Sequence, residues 1–112
     1  MILIASKYLI PKGYTAIALF PFIFLRYKHL KENAVMLNHE RIHLRQQAEL
    51  LILPFYLWYL AEYIAGKLKY SDSRVAYYSI CFEKEAYANE RNPEYLKHRP
   101  FWRFIYYRRS EN

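Results

Sequence analysis

The chain has 112 residues, of which 54 % are hydrophobic and 20 % aromatic, with only 2 Gly and a formal net charge of +7. This composition excludes a disordered or linker-like polypeptide and fits one compact domain over residues 1–112 with a modest core. A single cysteine, Cys81, excludes an internal disulfide and permits a reducing compartment.

Residues 2–10 (ILIASKYLI) are rich in strand formers, Pro11-Lys12-Gly13 supplies turn chemistry, and residues 15–26 (TAIALFPFIFLR) return as a second strand. The expectation is a short N-terminal β-hairpin. Pro21 donates nothing to a ladder and marks a break, a bulge or an edge position. The absence of a basic n-region with an h-region and cleavage site predicts no signal peptide.

Residues 27–32 read as a charged loop, with Asn33 as N-cap of a helix from 34 to about 53. Within this helix lies His39-Glu40-Arg41-Ile42-His43, an HExxH spacing. Positions i and i+4 share a helix face, so His39 and His43 can direct their imidazoles at one point. That point suits Zn²⁺ at about 2.0–2.1 Å from each nitrogen. Glu40 can serve as general base toward a water on the metal's open side. A shuffled chain of this composition contains the pattern with a probability of roughly 0.01.

Pro54 ends or kinks the first helix, and residues 55–69 form the next, closed by Gly66 with Lys67 and Lys69. The run 50–61 carries no charge, but its 12 residues fall short of the roughly 20 a membrane-spanning helix needs. It reads as a core helix, with an interfacial segment as the rival.

Residues 70–72 form a turn, and Ser73 caps a helix over 74–91 that Asn92-Pro93 ends. On one continuous helix Glu83 shares a stripe with Ala76, Ser79, Ile80, Ala86 and Tyr87. Glu85 shares a bulkier one with Tyr78, Cys81, Phe82, Ala88 and Asn89. Small residues permit close approach to the HExxH helix, which favours Glu83 as a third zinc ligand over Glu85. Glu90, His29 and His98 follow as further candidates. Cys81 reads as a packing residue.

Residues 94–109 read as a last helical segment, in which Arg99, Arg103, Arg108 and Arg109 alternate with Phe101, Trp102, Phe104, Tyr106 and Tyr107. Such a pattern suits an anionic membrane surface or, less well, single-stranded nucleic acid. A solvated basic face is the plainer alternative.

HExxH followed by the helical Phe82-Glu83-Lys84-Glu85-Ala86 resembles the zincin metallopeptidases of the gluzincin type. The second segment is similar to the Phe-Glu-x-x-Ala-Asp stretch of membrane-embedded CAAX-type proteases. That resemblance implies an α+β, mainly α fold, a zinc ion held by His39, His43 and Glu83, and hydrolysis of a peptide or protein substrate with Glu40 as base. The family's Asp, four residues after the ligand and bracing a zinc-bound His, is replaced here by Tyr87. A thermolysin-like register would instead make Glu85 the ligand and Asn89 the brace. The competing functional class is a non-catalytic metal-binding protein or a basic module for a membrane surface or nucleic acid. The expected location is cytoplasmic, with peripheral membrane contact as a second option.

Overall fold

A computed structural model describes residues 2–108. Three short strands, β1 (Ile2–Ala5), β2 (Ala16–Leu19) and β3 (Phe22–Leu25), form a sheet of order β1-β3-β2. The hairpin lies inside residues 15–26: Pro21 breaks that stretch, and β2 pairs antiparallel with β3 across Phe20-Pro21. β1 joins the other edge of β3 in parallel, so the expected hairpin between 2–10 and 15–26 does not form. Arg26 ties the connection down by donating to the carbonyls of Ile10, Pro11 and Tyr14.

Lys28–Glu32 is a 3-10 turn, and Asn33 caps α1 (Ala34–Leu50) by accepting from the Met36 N–H. The first helix ends at Leu50, and Leu51 adopts a left-handed φ of 69° before α2 (Ile52–Tyr70). Pro54 explains the position. Its missing N–H and its ring both act on the carbonyl four residues back, that of Leu50, so the old helix must stop there. Pro54 then sits harmlessly in the first turn of the new helix. The two axes bend by 112°.

Gly66 lies inside α2 and does not close it; Ser71, at φ 61°, takes that role. A Cβ at Gly66 would lie 2.8 Å from Ser79 Oγ and 3.0 Å from Ala76 Cα. The glycine therefore permits close packing of α3 (Ser73–Ser79), whose N-cap is Asp72 and not Ser73. The expected helix over 74–91 is in fact two, because Ile80 is extended and α4 (Cys81–Asn89) starts afresh. A carboxylate oxygen of Glu62 accepts the Cys81 N–H at 2.7 Å and so satisfies one donor of the new N-terminus. Ala76 and Ser79 thus face α2, and the shared stripe inferred for Glu83 is not formed.

Beyond α4 the chain makes a short helix α5 (Tyr95–His98) and a 3-10 segment (Arg103–Arg108) in place of one helix. Pro100 forces Arg99 into extended geometry between them. Arg109 lies outside the described residues. The architecture is α+β, mainly α, with two apolar clusters on either side of α1. Leu37 and Leu44 pack on Ala18, Ile23 and Leu25 of the sheet. Phe55, Phe82 and Phe104 centre the second cluster, between α2, α4 and the C-terminal segment.

Candidate metal centre

Between the two apolar clusters, the opposite face of α1 carries a buried polar layer of His39, Glu40, His43, Gln46 and Gln47. Their spacing sets their directions: at 100° per residue, His39 and His43 point toward α4 and Glu40 points between α4 and the sheet edge.

His39 Nε2 and His43 Nε2 are 3.2 Å apart, and each is 3.1 Å from Glu83 Oε1. These atoms make a nearly equilateral triangle. A tetrahedral zinc with bonds of about 2.0 Å has ligand–ligand edges of about 3.3 Å. The triangle thus has the size of one face of that tetrahedron, and the other side of the ion would remain open.

The outer hydrogen bonds fix which ring nitrogens carry protons. His39 Nδ1 lies 2.7 Å from Glu90 Oε1, and His43 Nδ1 lies 2.8 Å from Gln46 Oε1. Gln46 cannot turn over, because its Nε2 donates to Phe82 O and to Glu85 Oε1. Both Nδ1 atoms therefore face acceptors and must be donors. In neutral imidazoles the Nε2 lone pairs then converge, with a carboxylate oxygen, on one buried point. Such a point suits a cation. In the metal-free protein a proton supplies it. Burial alone would lower the His43 imidazole, yet the charge and hydrogen bond of Glu83 raise it to about 9. Burial would likewise raise Glu83, and the adjacent His43 and His39 instead hold it far below the usual carboxylate range.

The remaining oxygen of Glu83 is occupied: Tyr59 Oη donates to Oε2 at 2.6 Å. Glu83 is thereby set to present Oε1 alone. The carboxylate that braces His39 is Glu90, seven residues after Glu83, and Asn38 anchors it by donating to the Glu90 and Asn92 carbonyls at 2.9 Å each. Tyr87, four residues after Glu83, sets its ring against His39 at 4.4 Å. Tyr59, Gln46, Asn38 and Glu90's bracing role were not legible in the sequence. An i,i+3 spacing of Gln46 from His43 was the available signal.

Glu85 is elsewhere. It is fully buried in an ion pair with Arg99, which also bonds Glu49 at 2.6 Å, and it accepts from Tyr95 Oη at 2.5 Å. Asn89 donates to Glu85 O and Tyr107 Oη. His29 and His98 are exposed and outside the cluster. Burial pushes the Cys81 thiol up, as expected of a packing residue.

A cleft of about 1250 Å³ opens on the centre, lined by His39, Glu40, Glu90, Tyr59 and Tyr87 and by the start of β2. Glu40 lies on its floor, and burial raises its carboxyl above the usual range despite the nearby His43 and His39. Comparison with protein-family models, with curated proteins and with solved structures finds no match for this chain.

Proposed function

We propose that the protein is a zinc-dependent metallopeptidase of gluzincin-like design, with His39, His43 and Glu83 as ligands and Glu40 as general base. The observation that carries the reading is the convergence of two imidazole lone pairs and one carboxylate oxygen on a single buried point beside an open cleft. Zinc bound there would acidify a water and polarise a carbonyl, which is the chemistry that peptide hydrolysis needs.

The chain's own groups fit the remaining tasks. Glu40 Oε accepts the proton of the attacking water and returns it to the leaving amine; its raised pKa suits both halves of that transfer. Glu90 and Gln46 hold the two imidazoles in the tautomer that leaves Nε2 bare. The β2 edge suits an extended peptide. The Arg26 N–H to Thr15 O bond marks Thr15 as facing β3, so Ala16 and Ala18 face outward. Tyr56 and Gln47 cover the Ala18 carbonyl, whereas Ala16 borders the cleft and can pair with a substrate backbone.

The test is hydrolysis of a peptide library by zinc-loaded protein and by its Glu40→Gln variant. Cleavage by the first and none by the second supports the reading. Cleavage by neither, with zinc bound in both, would leave a metal-binding protein without peptidase activity.

A further inference from the structure

The outer face of α2 is apolar and uncovered. Leu53, Leu57, Leu60, Ile64 and Leu68 are 49–82 % exposed. At 100° per residue they fall within an arc of about 80°, and at 1.5 Å per residue they run for about 22 Å. The opposite side of the helix carries Phe55 and Gly66 and is buried, so the stripe is not the core side of the helix. Single exposed leucines are ordinary; a continuous row of this length on a small protein marks an interaction surface.

We infer that this face of α2 docks on an anionic lipid bilayer, with the helix lying in the plane of the interface. Charge selects that occupant. Lys67 lies on one flank of the stripe, and on the other Arg108, ion-paired with Glu62 at 3.4 Å and still 55 % exposed, stands over Trp58 with its guanidinium carbon 5.7 Å from the ring centroid. Trp58 itself packs inward on Phe82 and Phe104; the pattern of a surface-bound helix is the row of aliphatic side chains with cations on its flanks, on a chain of net charge +7. A second copy packed on the same face would bring these cations, and two chains of net charge +7, against each other. No single helix among the described residues is long and apolar enough to cross a membrane, and the α1–α2 pair that together reaches that length is bent by 112° and carries the buried polar layer on α1, which favours docking in the plane. Leu60 belongs both to the stripe and to the cleft rim, which sets the cleft mouth at headgroup level in a docked molecule.

The experiment is co-sedimentation of the full chain with phosphatidylcholine vesicles, with and without about 30 % phosphatidylserine, alongside gel filtration. The wild type should bind the mixed vesicles, and bind neutral ones at least about tenfold more weakly. A variant carrying Leu53→Gln, Leu57→Gln, Ile64→Gln and Leu68→Gln should lose on the order of a hundredfold in partition with its circular dichroism unchanged. The single change Leu68→Gln, at an 82 % exposed site, should lose several-fold and tests the stripe should the quadruple variant misfold. Absence of vesicle binding, equal binding by the Leu68→Gln protein, or indifference to phosphatidylserine would overturn the inference. So would a wild-type dimer that the quadruple variant converts to monomer while vesicles are ignored.

Discussion

Replacing each of the two glutamates of α4 by alanine separates the proposed metal centre from the scaffold beneath it. In Glu85→Ala, Arg99 stays buried with only Glu49 for company, and Tyr95 and Gln46 lose an acceptor. Breaking a buried pair from one side costs about 3–5 kcal/mol, out of a total of about 5–15 kcal/mol for a domain. At about 4 °C per kcal/mol the melting temperature should fall by about 12–20 °C. Arg99 cannot escape by losing a proton. His43 can, so Glu83→Ala should cost the metal-free fold much less. The response to zinc ranks them the other way. Wild-type protein should melt higher with zinc, as should Glu85→Ala from its lower baseline, because a ligand that binds only the native state stabilises it by mass action. Glu83→Ala should show no such rise, its zinc affinity having dropped by more than about a hundredfold, beyond the range of a change outside the ligand set. Differential scanning calorimetry with and without zinc reads both effects. An unaltered melting temperature for Glu85→Ala, together with loss of its zinc response and retention by Glu83→Ala, would refute this assignment.

Further outcomes follow from the same geometry. Glu40→Gln should retain about 1 zinc per chain by metal analysis while peptide hydrolysis disappears; undiminished hydrolysis would remove Glu40 from the chemistry. Glu90→Gln replaces the charged acceptor of His39 Nδ1 by a neutral one and should weaken zinc binding by about 10–100-fold in a competitive chelator titration. The metal-free protein should also respond to pH. His43 sits above its ordinary 6.5, at about 9, so the native state holds a proton that the unfolded chain releases in that window. Thermal melts of the chelator-treated protein should therefore show stability falling from pH 6.5 to pH 9, while apparent zinc affinity rises as the competing proton leaves. A metal-free stability flat across this range would contradict the raised His43.

The readable parts of the fold were those written in local chemistry. Asn33 announces its cap, Pro21 its break, and the HExxH spacing puts two imidazoles on one face whatever surrounds them. The end of the first helix at Leu50 was also encoded, but four residues upstream of the visible signal, because Pro54 acts on the carbonyl of Leu50. Other features depend on partners distant in sequence. Nothing near Ile80 signals that a Glu62 carboxylate will start a new helix at Cys81, so residues 74–91 read as continuous. The preference for Glu83 over Glu85 was argued from a stripe that the break abolishes. What separates them in the structure is Arg99, which engages Glu85 from outside the helix. Tyr59, and the bracing role of Glu90, which the sequence offered only as an alternative ligand, escaped notice for the same reason: they bind the centre across the fold, from a run that reads as plain core helix and from a helix end.

The most direct test of the central claim is metal content. Wild-type protein and a variant carrying His39→Ala and His43→Ala should be reconstituted with zinc, freed of excess metal and measured by elemental analysis. About 1 zinc per chain in the wild type and close to none in the variant is the predicted result. Equal zinc in the two proteins, whether negligible or stoichiometric, would contradict it.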